Sequence, residues 1–134
     1  AHALGGMVEQ SNKGWGVGVR TLATVSNPKT PLAEVLPKNV SLIYSHKDQI
    51  IRLPADATTF LSDDFCPCAG FTIDNHIITF QGHPEFTPEY TQRLLVHRAK
   101  VIGEPTYSQG MKSLIQKTDS ELVGRMILNF LQAD

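Results

Sequence analysis

An imidazole and a carboxylate two residues apart, His83 and Glu85 in Phe80-Gln81-Gly82-His83-Pro84-Glu85-Phe86, are the side chains of this chain best spaced for proton transfer. In extended backbone, residues two apart project to the same side. The carboxylate can therefore orient the ring and stabilise its protonated form while the ring takes a proton from a nucleophile. Those are two members of a triad. A His-Pro-Glu tripeptide is equally at home in a plain strand-to-helix turn, so its surroundings must separate the two readings.

The nucleophile is harder to find. Cys66 and Cys68 flank Pro67, a spacing that suits neither a disulfide nor the two-residue gap of zinc and thioredoxin-like motifs. Neither stands in a glycine-flanked strand-to-helix turn that would hold a thiol on an elbow. Both read as reduced, structural thiols. His2, His76 and His97 lack metal-ligand spacing, and surface or hydrogen-bonded roles are expected for them. No metal or cofactor is expected. Trp15 and Phe80 sit at strand positions, where isolated aromatics are usually core.

Elements that could position the pair are legible on both sides of it. Ile77 to Gln81 is almost uninterruptedly apolar and predicts a fully buried strand ending just before His83; strand ends are where open α/β sheets place their sites. Thr87-Pro88 supplies a helix N-cap with proline at the first helical position, and Leu94, Leu95 and Val101 carry that helix to Gly103. Upstream, Met7 to Gln10 and Trp15 to Val25 flank a Ser11-Asn12-Lys13-Gly14 turn and predict an extended hairpin. Between Pro28, Pro31 and Pro37, Leu32, Val35 and Leu36 have helical spacing. Strands are expected at Val40 to Tyr44, Ala57 to Leu61 and Gly70 to Ile73. A last helix opens on a Thr118/Glu121 capping box and presents Leu122, Val123, Met126, Ile127, Phe130 and Leu131 on one face. Strands followed by helices are compatible with an α/β or an α+β domain.

The chain has 134 residues, 41% of them hydrophobic, enough for one ordinary domain and too few for two. Its formal net charge of −1 comes from scattered charges, so no basic stripe offers a footprint for nucleic acid or a membrane surface. A small polar substrate or a protein partner is the expectation. No apolar run reaches the roughly 18 to 20 residues of a membrane span, and the start Ala1-His2-Ala3-Leu4 has no charged region ahead of an apolar one. These features predict a soluble, cytoplasmic protein. The absence of an initial Met, and four residues reading as a helix tail stopped by Gly5-Gly6, suggest that sequence precedes Ala1.

Gly82-His83-Pro84-Glu85 resembles the Gly-His-Pro-Glu signature of class I glutamine amidotransferases, and other landmarks follow in order. Leu4-Gly5-Gly6 resembles the end of the family's helix after its Gly-x-Cys-x-Gly-x-Gln elbow, and Lys13-Gly14-Trp15 matches its next strand pair. Tyr44-Ser45-His46-Lys47-Asp48-Gln49 resembles the Ser-His-x-Asp segment of the GMP-synthase-like branch, beside the glutamine pocket; by itself it reads as a polar turn after a strand. The resemblance runs from Ala1 to about Leu95.

What this resemblance implies is an α/β, flavodoxin-like three-layer domain with a mixed sheet and C-terminal helices, of which residues 1–134 form the C-terminal portion. It implies a cysteine thiolate attacking a glutamine side-chain amide, with His83 and Glu85 as catalytic partners and Ser45 and His46 at the substrate. The cysteine and the oxyanion-binding amides belong to the elbow that this chain lacks, so the chain alone should be inactive. The alternatives are a γ-glutamyl peptide hydrolase of the same superfamily and a non-catalytic interaction module that keeps the fold. Expected partners are glutamine or a γ-glutamyl compound, and a synthase domain or the missing N-terminal half. An apolar edge left uncovered beside Ile77 to Gln81 predicts a homodimer, a bound N-terminal fragment or poor solubility.

Overall fold

The computed structural model describes residues 1–27, 30 and 32–132. A single 3-10 turn, His2–Leu4, ends on Gly5 in the left-handed conformation. Strands β1 (Met7–Gln10), β2 (Gly16–Thr24), β3 (Asn39–His46), β4 (Asp48–Arg52), β5 (Ala57–Ser62), β6 (Gly70–Ile73) and β7 (Ile77–Phe80) follow, with a four-residue helix α1 (Leu32–Val35) between β2 and β3. Helices α2 (Pro88–Ile102), α3 (Thr106–Ser113) and α4 (Ser120–Gln132) complete the chain. Pro28 and Pro31, expected to bracket the short helix, lie outside the described residues. No helix among the described residues is long and apolar enough to cross a membrane.

The main sheet has the order β3-β2-β5-β6-β7, and β1 pairs with β4 in a second, two-stranded sheet. The predicted hairpin of Met7 to Gln10 with Trp15 to Val25 does not form. β1 instead runs antiparallel to β4 with Gln10 opposite Asp48, while β2 runs antiparallel to β3 with Gly16 opposite His46. The two pairings are halves of one long antiparallel ladder. Residues 11–15 loop out of one side of it, opposite Lys47 alone, with Ser11 N–H donating to the Lys47 carbonyl. The turn read at Ser11 to Gly14 is real, since Gly14 N–H donates to Ser11 C=O and Gly14 has φ 82°. It redirects the chain within the ladder rather than folding it back.

Side-chain alternation along β2 and β3 gives the sheet two covered faces. On one, Leu22, Leu42, Tyr44 and Phe60 pack with Val123 and Met126 of α4 and with Leu32 and Leu36 around α1. On the other, Val17 packs with Leu95 and Ile102 of α2, closed by Trp15, Tyr107 and Met111. The α/β architecture expected from the sequence is present, with helices against both faces.

β7 was expected to be fully buried and is not. It pairs only with β6 at the sheet margin, and its four side chains are half-buried. Ile78 and Phe80 reach the core, Phe80 edge-on to Phe60 at 5.3 Å between ring centroids. An unbroken apolar run cannot by itself distinguish a central strand from a marginal one whose two faces are both partly covered.

The helix ends show which local signals hold. Thr87 caps α2, its Oγ1 accepting from Tyr90 N–H at 3.2 Å, with Pro88 first in the helix and Gly103 after it. The Thr118/Glu121 capping box is displaced: α4 begins at Ser120, and the Asp119 carbonyl accepts from Val123 N–H. The Asp119 carboxylate accepts from Ser41 N–H at 2.8 Å, while Asp119 N–H donates to the Ser41 carbonyl at 2.7 Å. The cap thus serves the free side of β3 rather than its own helix. Of the predicted apolar face, Val123 and Met126 are buried, Ile127 and Phe130 pack against them, and Leu131 points out.

Candidate active site

His83 lies just past β7, where the chain leaves the β6 edge and meets β3. Gln81 N–H donates to the Ala69 carbonyl, and two residues later His83 N–H donates to the Ile43 carbonyl at 2.8 Å, forming an isolated bridge with Ile43. Gly82 sits between, where an added Cβ would meet the Tyr44 ring at 2.8 Å, so the crossing from one strand to another requires glycine.

The ring of His83 is then fixed in two directions. In its plane, His83 Nδ1 and Glu85 Oε1 are 2.8 Å apart. An ionised carboxylate only accepts, so Nδ1–H is the donor, and a neutral ring carries its lone pair on Nε2. On its face, Phe86 stacks at 4.0 Å with 6° between the planes, and Tyr90 of α2 packs edge-on against Phe86. The turn that allows this is closed by Phe86 N–H donating to the His83 carbonyl. The His83 side chain is 33% exposed and that of Glu85 64%, so the imidazole is accessible from outside the fold. The i, i+2 pairing was readable from sequence. Phe86 was in the same segment, and its clamp is seen only once the turn is built.

Ser45 and His46 occupy the adjoining wall. They line, with Trp15, Lys47, Gln81 and Arg98, an open groove of about 540 Å³ located where residues 11–15 loop out of the ladder. Ser45 Oγ accepts from Arg98 Nη1 at 3.1 Å. His46 is buried between Tyr44 and Phe65, with Nδ1 3.1 Å from the Asp48 carbonyl. Burial holds its pKa below the ordinary histidine value, outweighing the Asp48 carbonyl that acts the other way. It is therefore a neutral wall group at physiological pH. Gly16 admits it: a Cβ there would stand 2.8 Å from His46 Nε2. Arg98, 53 positions from Ser45, has no local sequence signal, and Trp15, read as core, belongs to both core and groove.

The two cysteines are free and buried. Burial, with Asp63 beside it, pushes the Cys66 thiol up to about 11, and burial also raises Cys68. Both are protonated and sheltered at neutral pH. In the folded protein neither should react with iodoacetamide at pH 7.5 over an hour, and both should be modified in urea. Fast alkylation of Cys66 in the native state, followed by mass spectrometry, would contradict the structural reading.

No family model matches the chain, but individual proteins do. γ-Glutamyl peptidase 2 of Arabidopsis thaliana is 25% identical over 134 residues, covering 96% of this chain and 53% of the relative. A Saccharomyces cerevisiae protein provisionally named a glutamine amidotransferase is 32% identical over 96 residues, 72% of this chain and 37% of its own length. Among solved structures, a glutamine amidotransferase from Thermotoga maritima superposes with a TM-score of 0.76 over 98% of this chain and 57% of that one, at 16% identity, which speaks for the fold. The chain spans about half the length, or less, of the curated relatives it matches. Sequence relatives and structural neighbours agree: the proteins this chain is similar to are glutamine amidotransferase-like, among them proteins named as γ-glutamyl peptidases.

Proposed function

We propose that this chain supplies the proton-transfer half of a Cys–His–Glu hydrolase that cleaves a γ-glutamyl amide, with the cysteine carried by sequence outside these 134 residues. The observation that carries this is the 2.8 Å His83–Glu85 pair, oriented from one side by the carboxylate and from the other by Phe86. His83 Nε2 takes the thiol proton and the thiolate attacks the γ-carbonyl carbon. The C–N bond breaks as the same proton passes to the departing nitrogen. Water, deprotonated by His83, then cleaves the C–S bond of the γ-glutamyl thioester and releases glutamate. Glu85 fixes the tautomer throughout.

The nucleophile and the amides that stabilise the oxyanion sit together on an elbow in this reaction type, so the chain alone is inactive. The substrate is glutamine or a γ-glutamyl peptide. With glutamine, the ammonia passes to a synthase partner; with a peptide, none is needed. The test compares two proteins. The chain alone should release no glutamate from glutamine or γ-glutamylglycine, and the chain joined to upstream sequence with a Gly-x-Cys-x-Gly turn should release it, with activity lost on Cys→Ala. Turnover by the chain alone overturns the placing of the nucleophile outside it, and none by the joined protein overturns the hydrolase reading and favours a non-catalytic module.

A further inference from the structure

The groove beside His83 has a charge that the hydrolytic step does not use. Lys47 and Arg98 both line it and both are half-buried, yet among the described residues neither has a carboxylate within ion-pair distance. Arg98 is held in place all the same, by its bond to Ser45 Oγ and by lying 5.9 Å over the Trp15 ring. The one carboxylate in the lining is Asp48, which is exposed, and His46 is neutral, so the groove is net cationic. Trp15, in the lining, carries an Nε1–H that is shielded from solvent and without an acceptor among the described residues. Partly desolvated cations around one open space are complementary to an anion, and guanidinium geometry favours a carboxylate.

The groove's position relates it to the imidazole. Ile43 bridges His83, and Ser45 and Gln81, each two residues along from that bridge, both line the groove. Two extended residues span about 7 Å, so the groove wall at Ser45 and Gln81 begins one or two residues' length from His83. Ammonia, the leaving group of glutamine, has no carboxylate to place in such a site. A γ-glutamyl peptide leaves as an amino acid or dipeptide with its own carboxylate.

We infer that Arg98 and Lys47 form a subsite for the carboxylate of the leaving group, making γ-glutamyl peptides with a free C-terminus the preferred substrate class. This rests on the hydrolase reading for its role in catalysis, whereas the carboxylate site itself can be tested without it. Trp15 is the only tryptophan in the chain and lines the groove, so its fluorescence reports occupancy directly. N-Acetylglycine should give a saturable change with Kd on the order of 1 mM, and N-acetylglycinamide should give none. Arg98→Gln should weaken binding about tenfold and Lys47→Gln about threefold, with Arg98→Lys intermediate. An equal response to acid and amide, no saturable response, or unaltered binding in both Gln variants overturns the site. If Arg98→Gln fails to fold, Lys47→Gln decides.

The role in hydrolysis is then read in the complete enzyme. Arg98→Gln should lower kcat/KM for γ-glutamylglycine about tenfold and leave glutamine unchanged; an equal loss on both substrates overturns the leaving-group assignment. A complete protein that cleaves neither, while Arg98-dependent binding of N-acetylglycine persists, removes the hydrolase reading and leaves the carboxylate site standing.

Discussion

In the complete hydrolase proposed above, His83→Ala should lower kcat by about 10³- to 10⁴-fold with little change in KM, because on that mechanism it removes the group that carries the proton in both half-reactions. Glu85→Gln should cost less, about 10²-fold. Its carboxylate is 64% exposed, so its field is screened by water, and its contribution is the hydrogen bond that keeps the proton on Nδ1 and the lone pair on Nε2. An amide in its place can offer either a donor or an acceptor and no longer enforces one tautomer. The double variant should be no worse than His83→Ala, since an orienting group has no effect once the group it orients is gone. Steady-state kinetics with glutamine and γ-glutamylglycine, alongside circular dichroism to confirm folding, measures all three. A folded His83→Ala enzyme that keeps a tenth of its activity would exclude His83 as the base.

The largest effect on stability should come from Gly18→Ala, which we expect to cost about 3 kcal/mol or more, a large share of a typical small domain's total. Gly18 has φ 77°, where a side chain adds strain. A Cβ there would also stand 2.2 Å from Ser113 Oγ and 2.6 Å from the Gly110 carbonyl, and backbone cannot yield as a flexible side chain can. The close approach is used: Ser113 Oγ accepts from Val19 N–H at 2.8 Å and donates to the Gly110 carbonyl at 2.6 Å, tying α3 to β2. Displacing α3 also loosens Tyr107 and Met111 from the cluster that supports Trp15, and hence the groove. Gly124→Ala is the control, because nothing lies within 4 Å of its Cβ position on α4. It should stabilise by about 0.5 to 1 kcal/mol through helix propensity alone. Urea denaturation gives both values, and equal midpoints for Gly18→Ala and the parent would refute the close-packing argument.

Sequence by itself determined what depends on residues near one another along the chain. His83 and Glu85 meet in one tight turn, closed by Phe86 N–H on the His83 carbonyl, rather than in the extended stretch expected, and α2 starts at Thr87-Pro88 because the cap, the fixed φ and the first turn are all local. That Cys66 and Cys68 are reduced, buried thiols was also legible, since their spacing around Pro67 suits no disulfide. Tertiary structure decided what depends on competition between distant segments. Met7 to Gln10 was a fair hairpin partner for the strand after it, but the ladder with Asp48 to Arg52 prevailed, and alternation in one strand carries no information about its partner. That choice looped residues 11–15 outward, left Lys47 facing them, and opened the groove that Arg98 reaches across 53 positions to Ser45. A proton-transfer pair can be written into three consecutive residues, whereas a cationic groove exists only where the sheet, a loop and a helix converge.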